Sequence, residues 1–405
     1  MFMEKNSFIL SDQEDLSIEQ KKLIQSVLDF SKQQIIQEEK KLFIIKGGAG
    51  SGKSVVLFEI FKQIQREAFE NKNSPLYQTN NYLLVNHAEI WKIYRDLAGQ
   101  TDILKKKNVL KPTTFIHQMD KISTQADIVL IDEAHLLLTE PDPYNKFIQT
   151  NQLIEIIKRS KIIVIVFDSH QVLKFKSMWT EKKLENIVNQ YKPVSYQLTH
   201  QYRMLGENND VVEWIDNLTQ NRLITKLAPV NGFEFKFFAD ANQMYSLLQK
   251  RNEEVGMSRL LATTDYPYTV NRGTWYVTVG DFKLPWDKLD TGNTPWALRP
   301  DTFSEVGSVY TIQGFDLNYA GVIIGPSITF DEEKNSIVID TDKYEDNAAF
   351  RQTKGHVFSI RDKEDIMLNA LNILLKRGRC GLYICVADDT LRRKLSLLLG
   401  NADLV

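Results

Sequence analysis

The feature that most constrains the fold is a glycine-rich segment, residues 47–54, with the sequence GGAGSGKS. It matches the pattern G-x-x-x-x-G-K-[ST], which connects a strand to a helix in nucleotide-binding proteins. An apolar run precedes it at 42–46, and an amphipathic stretch follows at 55–70. Glycines let backbone N–H groups converge on phosphate oxygens, and the following helix N-terminus adds a positive dipole end. We therefore predict a nucleotide-binding α/β domain.

The polar residues that end this loop have distinct predicted roles. Lys53 is predicted to neutralise the β- and γ-phosphates of ATP during catalysis, and the Ser54 hydroxyl to ligate Mg²⁺. The phosphate-binding residues are predicted to be Gly47, Gly48, Ala49, Gly50, Ser51, Gly52, Lys53 and Ser54.

A second signal is the segment VLIDEAH, residues 129–135, in which a buried apolar run ends in two carboxylates. A metal-assisted hydrolase needs such acidic groups opposite its phosphate loop. Asp132 would hold Mg²⁺, and Glu133 would polarise the attacking water as a catalytic residue. His135 would either link the nucleotide state to the substrate side or cap the turn.

Strand-like and helix-like segments alternate along the chain, which predicts layered α/β architecture. The apolar runs lack polar alternation, as expected for strands buried on both faces of a parallel sheet. We expect two α/β domains, 1–200 and 201–405. The predicted strands are 42–46, 82–85, 128–132, 162–167, 233–238, 258–263, 273–282, 306–311, 321–324 and 381–386. The predicted helices are 17–32, 55–70, 88–97, 152–159, 241–254, 363–376 and 390–399, and 284–304 is predicted to be an ordered loop.

Composition excludes several classes of protein. With 50 Lys and Arg against 52 Asp and Glu, the net charge is -2, which argues against a polycation that coats nucleic acid but not against local basic grooves. The longest apolar runs, such as 162–167, are far shorter than a membrane span, and no signal peptide is visible. Cys380 and Cys385 lack zinc-site spacing and favour buried thiols in a reducing compartment. We expect a cytoplasmic protein that does not engage a membrane.

Further motifs follow one another in a consistent order. They are LSIEQ at 16–20, KPTTFIHQ at 111–118, FDSHQ at 167–171, QLTHQYR at 197–203, EVGSVYTIQGFD at 305–316 and LLKRGRCGLYI at 374–384. Together with the phosphate loop and the DEAH segment, they resemble superfamily 1 helicases. Over most of the chain they resemble most closely the Schlafen group 3-like DNA/RNA helicase domain family.

The resemblance implies two RecA-like P-loop lobes, each a mostly parallel sheet flanked by helices, with ATP in the cleft between them. It implies that Gln20 contacts the adenine and that Gln171 senses the γ-phosphate. It implies a catalytic role on the phosphates for Arg203 and Arg377. The late motif adds Gly314 and Asp316 as nucleotide-binding residues, the latter at the ribose.

The sequence departs from the family pattern at five positions. The family usually has His where Tyr310 stands, Glu where Asp316 stands and Thr where Lys376 stands, and a usual Tyr-Arg pair aligns with Leu371 and Asn372. None of these positions lies in the phosphate loop or the DEAH segment. ATP hydrolysis is therefore better supported than processive unwinding.

The prediction of a nucleic-acid partner rests on local clusters of basic residues and on an aromatic-rich segment. Basic clusters occur at 105–107 with Lys111, at Lys174 with Lys176, and at 392–394; phosphate contacts by such residues would be sequence-blind. Aromatic residues are frequent between 266 and 296, where they would either stack on bases or pack a core.

Three functions are compatible with these observations. The first is an ATP- and Mg²⁺-dependent motor on single-stranded DNA or RNA, with a protein partner that supplies a nuclease or effector function and, by the resemblance, a role in defence against phage or mobile elements. The second is a regulatory P-loop ATPase switch that binds nucleic acid or a protein without unwinding. The third, a P-loop kinase, is disfavoured by the DEAH and QYR segments.

Overall fold

A computed structural model describes residues 16–48, 50–206, 209–268, 273–286, 294–351 and 358–400. Ala49, one of the predicted phosphate-binding residues, lies outside these ranges. The described part of the chain divides into two compact units, and the division falls between His200 and Gln201.

The first unit is built on a six-stranded, all-parallel sheet with the order β3-β2-β4-β5-β1-β6. Successive side chains of β1 point to opposite faces, so that Phe43 and Ile45 enter one core and Leu42 and Ile44 the other. This explains the unbroken apolar run, because both faces of the sheet are covered. The strands are β1 (Lys41–Gly47), β2 (Asn81–Val85), β3 (Val109–Leu110), β4 (Ala126–Asp132), β5 (Ser160–Phe167) and β6 (Val194–Leu198).

Helices cover both faces of this sheet. The first begins at a capping box, in which the Ser17 side chain accepts from the Gln20 backbone N–H and the Gln20 side chain accepts from the Ser17 N–H. The second begins at Lys53, so the last two residues of the phosphate-binding segment lie in its first turn. The helices are α1 (Ile18–Gln34), α2 (Lys53–Glu70), α3 (Ala88–Ala98), α4 (Pro112–Ile122), α5 (Gln152–Lys158) and α6 (Glu181–Val188).

The second unit contains a four-stranded parallel sheet with the order β7-β14-β11-β8 and two small antiparallel hairpins. Its sheet strands are β7 (Glu234–Phe238), β8 (Ser258–Ala262), β11 (Leu317–Ile324) and β14 (Gly378–Val386). The hairpins are β9 (Tyr276–Val279) with β10 (Phe282–Pro285) and β12 (Ile328–Asp331) with β13 (Ser336–Ile339). The helices are α7 (Asp210–Gln220), α8 (Ala241–Val255), α9 (Val309–Ile312), α10 (Ile360–Leu375) and α11 (Asp389–Leu399).

Two strand predictions in the second unit are wrong. In the segment 306–311, Val306 and Gly307 form only isolated bridges, to Trp286 and to Leu261 of β8, and a capping box at Ser308 then starts α9. The hydrogen bonds between Ser308 and Thr311 satisfy backbone groups at the start of the helix. This capping outweighs the strand preference of the β-branched residues in the segment. The segment 273–282 contains β9 and a turn at Gly280, where φ is +56°, instead of one continuous strand.

The aromatic segment between 266 and 296 mainly packs the core of the second unit. Tyr266, Phe282, Trp286 and Trp296 are buried, and the Trp296 indole N–H donates to Glu305 at 2.6 Å. Tyr276 is exposed. Packing, rather than base stacking, therefore accounts for most of these rings.

The parallel arrangement brings the carboxyl ends of β1, β4 and β5 to one edge of the first sheet. The phosphate loop, the DEAH segment and the FDSHQ segment follow these three strands, so the sheet places them together. In the described ranges, no helix is both long enough and apolar enough to cross a bilayer.

Candidate functional site

The Lys53 ammonium lies at the centre of the phosphate loop. It donates to the carbonyls of Gly47 at 2.5 Å and Gly48 at 2.8 Å, and it pairs with the Asp168 carboxylate at 3.3 Å. The side chain is only 7% exposed. Its charge is thus held over the loop, at the start of α2, where the backbone also favours an anion.

Asp168, which follows β5, links this lysine to the predicted γ-phosphate sensor. Its carboxylate accepts from the Gln171 side-chain amide at 2.6 Å. Burial acts to raise the pKa of Asp168, but the Lys53 charge and the Gln171 hydrogen bond outweigh it and hold the pKa at about 2. Asp168 is therefore ionised at neutral pH and ties two predicted catalytic side chains together.

The predicted metal ligands Ser54 and Asp132 are in contact. The Ser54 hydroxyl donates to Asp132 Oδ1 at 3.2 Å, and the other carboxylate oxygen accepts from the Tyr94 hydroxyl at 2.5 Å. Asp132 is fully buried at the end of β4. Burial and the charge of Glu133 raise the pKa of Asp132 to about 6.

One hydroxyl and one buried carboxylate are hard oxygen donors that fit Mg²⁺, an ion that usually keeps several waters and binds few protein groups. Among the described residues, no cluster of three or more His, Cys, Asp or Glu side chains offers a denser metal site. Ser54 and Asp132 are therefore the residues of the first unit that would hold the ion.

Glu133 occupies the turn after β4 in the left-handed region, with a φ of 50°. Its Oε2 lies 3.3 Å from Nε2 of His135, which is fully buried. Burial lowers the pKa of His135 to about 4, so the imidazole is neutral at pH 7. The arrangement places a carboxylate beside a neutral histidine at the edge that carries the phosphate loop.

Gln20 lies against the phosphate loop. A Cβ added at Gly52 would stand 2.4 Å from the Gln20 amide nitrogen, and Gly52 has a φ of +77°. Only glycine combines this left-handed conformation with so close an approach. The first unit thus brings together Gln20, the described phosphate-loop residues, Asp132, Glu133 and Gln171.

The second unit brings together a separate set of predicted residues. The Arg203 guanidinium forms an ion pair with the Asp316 carboxylate and donates to the Lys376 carbonyl at 3.3 Å. Gly314, with a φ of +87°, forms the turn between α9 and β11 that leads to Asp316.

Arg377 is 2% exposed and is bonded within its own unit. Its guanidinium donates to the carbonyls of Ile373 at 2.9 Å and Phe315 at 3.2 Å. The latter contact supports the residue just before Asp316. The observed position gives Arg377 a structural role, and its catalytic role stays a prediction.

Three residues at which the sequence departs from the family pattern form hydrogen bonds between elements of the second unit. Both Asn372 and Lys376 contact the Asp216 carboxylate of α7, at 2.9 Å and 2.5 Å. Asn372 also donates to Thr219 at 2.7 Å, and Tyr310 donates to Asp346. These residues therefore cross-link α10 to α7 and α9 to the segment at 346.

The three basic clusters differ in how far carboxylates neutralise them. Lys176 pairs with Asp142 at 3.0 Å, and Arg392 pairs with Asp389. The four lysines of the first cluster are exposed, and no carboxylate among the described side chains lies within 4.0 Å of them. Two of them lie over aromatic rings, of Phe69 and Trp91. The first cluster, which consists of Lys105, Lys106, Lys107 and Lys111, is called the β3 patch below.

Two residues that contact the site of the first unit, Asp168 and Tyr94, are not among the predicted site residues. Asp168 has a signal in the sequence, because it lies in the FDSHQ segment at a strand end, close to the predicted γ-phosphate sensor Gln171. Tyr94 had no distinguishing signal, because a tyrosine on the apolar face of a helix is typical of core packing.

This geometry defines a P-loop nucleotide-binding domain. Residues 40–388 match the model of the Schlafen group 3 DNA/RNA helicase domain. The chain belongs to this family, which confirms the resemblance found in the sequence. At family level it is a helicase-like protein with nucleotide and metal dependence and an association with nucleic acid.

Other known proteins are similar to the chain. The uncharacterized protein YPL245W of Saccharomyces cerevisiae is 36% identical over 411 residues, which cover 94% of this chain and 90% of that protein. The Pif1 helicase from Candida albicans is 13% identical, with a TM-score of 0.36 over 96% of this chain and 98% of that chain. Domain III of the replication initiation protein DnaA from Thermotoga maritima is 14% identical, with a TM-score of 0.26 over 45% of this chain and 63% of that chain. Family membership rests on the sequence match.

Proposed function

We propose that the protein is an ATP-dependent nucleic-acid motor of the superfamily 1 type, which hydrolyses ATP with Mg²⁺ and acts on single-stranded DNA or RNA. The observation that carries the proposal is the convergence of Lys53, Ser54, Asp132 and Glu133 at one sheet edge. This set supplies a phosphate cation, two metal ligands and a water-activating carboxylate.

Each of these groups has a role in phosphoryl transfer. Lys53 would exchange its carbonyl and Asp168 contacts for the β- and γ-phosphates, and the Gly50–Gly52 backbone would donate to phosphate oxygens. Glu133 would accept a proton from, or orient, the attacking water. Bound Mg²⁺ would neutralise charge on the phosphates, and Ser54 and Asp132 would hold it.

The β3 patch supports a polymer of phosphates as the second ligand. Its four exposed lysines are unneutralised by described carboxylates, although the whole chain has a net charge of -2. Contacts of this kind bind a phosphate backbone without reading sequence. Base-edge contacts are not needed for a motor that must move along many sequences.

A regulatory ATPase switch is the second candidate, and the second unit supplies the observation that favours it. Arg203 is engaged with Asp316, and Arg377 is buried on backbone carbonyls. Arginines held in this way would give slow turnover until a ligand or partner releases Arg203. Such a protein would bind ATP and nucleic acid without unwinding, and a protein partner would supply the effector function.

The test is ATP turnover by the purified protein with and without Mg²⁺, single-stranded DNA and single-stranded RNA. We expect one polymer to accelerate a Mg²⁺-dependent reaction at least tenfold. Lys53→Ala and Glu133→Gln should abolish turnover, and Glu133→Gln should retain nucleotide binding. Tyr82→Phe, which removes a buried hydroxyl away from the loop, is the matched control.

The outcomes separate the two candidates. Polymer-stimulated turnover together with strand displacement from a tailed duplex would establish the motor. Slow turnover that both polymers leave unchanged would reject the motor and favour the switch. Turnover that persists in Glu133→Gln would reject the assigned water-activating residue.

A further inference from the structure

Tyr94 is a fully buried tyrosine whose hydroxyl lies at the metal-binding end of the site. It projects from α3, the helix that follows β2, towards the end of β4. Its hydroxyl donates to Asp132 Oδ2 at 2.5 Å and lies 3.2 Å from the Ser54 backbone carbonyl. The hydroxyl therefore contacts both residues that would hold Mg²⁺.

The tyrosine ring is fixed by packing, so its hydroxyl has a defined position. It stacks on the Phe58 ring of α2, with 5.3 Å between ring centroids and an interplanar angle of 6°. Phe58 is on the same helix as Ser54, and Tyr94 contacts Ser54 through its backbone. The two aromatic rings therefore fix α3 against the first turns of the phosphate-loop helix.

The two oxygens of Asp132 have different partners. Oδ1 accepts from the Ser54 hydroxyl at 3.2 Å and from the Glu133 backbone N–H at 3.0 Å. Oδ2 accepts from Tyr94. With Oδ2 occupied by a buried donor, the carboxylate cannot rotate freely, and Oδ1 stays directed at the Ser54 hydroxyl.

From this geometry we propose that Tyr94 is a positioning residue for the metal site, which orients Asp132 so that Oδ1 and the Ser54 hydroxyl face one ion. The inference rests on the proposed function, because that function supplies the Mg²⁺. Outer contacts that orient a metal ligand are worth about 10–100-fold in metal affinity. Tyr94 itself touches neither nucleotide nor metal in this assignment.

The experiment measures binding of a fluorescent ATP analogue to Tyr94→Phe during a Mg²⁺ titration, and again in EDTA. We expect the Mg²⁺ concentration at half-saturation to rise about 10–100-fold, with affinity in EDTA unchanged. Phenylalanine keeps the ring and its stacking on Phe58. Tyr82→Phe is the matched control, since Tyr82 is also buried in the first unit and its hydroxyl lies 3.4 Å from Gln118.

A double-mutant cycle with Asp132→Asn tests whether Tyr94 acts through Asp132. We expect the effect of Tyr94→Phe on Mg²⁺ dependence to vanish in the Asp132→Asn background, because the two residues share one function. Additive effects would overturn the proposal. So would an unchanged Mg²⁺ midpoint in Tyr94→Phe, or an equal loss of binding in EDTA, which would mean a general structural role.

The wild-type protein distinguishes failure of this inference from failure of the proposed function. If Mg²⁺ has no effect on nucleotide binding by the wild type, the proposed function loses its metal and the inference falls with it. If the wild type responds to Mg²⁺ and Tyr94→Phe responds identically, only the positioning role is rejected.

Discussion

Arg203 and Asp316 form an ion pair within the second unit, although they are 113 positions apart in the sequence. One is a predicted catalytic cation and the other a predicted ribose ligand. Each side chain therefore neutralises the charge of the other in this structure. Arg203 would have to leave Asp316 before it could act on a phosphate.

The first prediction concerns Arg203. We expect Arg203→Ala to lower ATP turnover about 10³–10⁵-fold, because an arginine on the developing phosphate charge contributes that much to rate. Nucleotide affinity should change little. Steady-state turnover and fluorescent-nucleotide binding measure the two effects. Arg222→Ala is the control, since it breaks another ion pair of the second unit, with Glu364 at 2.6 Å, and should leave turnover unchanged.

The second prediction concerns Arg377, whose guanidinium is buried against two carbonyls. Arg377→Ala would leave these carbonyls without donors and open a cavity, which should cost about 3 kcal/mol of unfolding free energy. Urea unfolding measures this cost. Full stability combined with lost turnover would contradict the structural role and support the catalytic one.

Sequence patterns predict those parts of the site that lie on one continuous segment. The phosphate loop predicted β1 before it and α2 after it, and both are confirmed. The DEAH segment predicted a buried strand that ends in two carboxylates, and β4 ends at Asp132. In each case the local apolar pattern predicts the strand, and a glycine or an acidic residue marks its end. No information about distant residues is needed.

Contacts between distant segments could not be predicted in this way. Tyr94 meets Asp132, and Arg203 meets Asp316, only through the packing of separate elements. A lone tyrosine or arginine has no local pattern that names its partner. The error at 306–311 has another cause, because a capping box at Ser308 outweighed the β-branched residues beside it.

The third prediction concerns the buried pair of Lys53 and Asp168. Lys53→Met would leave the Asp168 carboxylate buried without its main counter-charge, which should cost about 3–5 kcal/mol of unfolding free energy. The pKa of Asp168 should rise from about 2. Adding Asp168→Asn should recover most of the loss.

Urea unfolding in EDTA provides the measurement for this pair. Lys40→Met is the control, because that ammonium donates to the carbonyls of Lys158 and Ser160, and its loss should cost about 1 kcal/mol. If Asp168→Asn fails to recover stability in the Lys53→Met background, the buried charge is not the cause of the loss.

The fourth prediction concerns the β3 patch. Replacing Lys105, Lys106 and Lys107 by alanine should weaken binding to a single-stranded oligonucleotide. It should also reduce the slope of log affinity against log salt by about 2, since each phosphate contact on a single strand contributes about 0.7. Fluorescence anisotropy over a series of salt concentrations measures the slope.

A matched triple variant controls for the loss of three positive charges. Arg392, Arg393 and Lys394 also form a basic run, but Asp389 and Glu332 lie beside the two arginines. Alanine at these three positions should leave the slope near that of the wild type. Equal changes in both triple variants would mean that net charge, and not the β3 patch, governs binding.

The fifth prediction concerns Asp265, which is buried after β8 in the second unit. One carboxylate oxygen accepts from Thr263 and Ser327, while the other is buried without a hydrogen-bond partner among the described residues. Burial raises the pKa of Asp265 from 3.8 to about 6. The folded state therefore binds a proton more tightly than the unfolded state, so that stability is lost as the pH rises from about 4 to 6.

The size of this loss is about 3 kcal/mol, the free energy that corresponds to the difference between the two pKa values. Asp265→Asn keeps an acceptor for Ser327 and removes the charge, so it should be more stable than the wild type at pH 8 and similar at pH 4. Urea unfolding of both proteins at the two pH values measures the difference. A stability difference that stays the same at both pH values would show that the Asp265 carboxyl does not titrate between them, because only a proton bound in the folded state and lost above pH 6 produces the divergence.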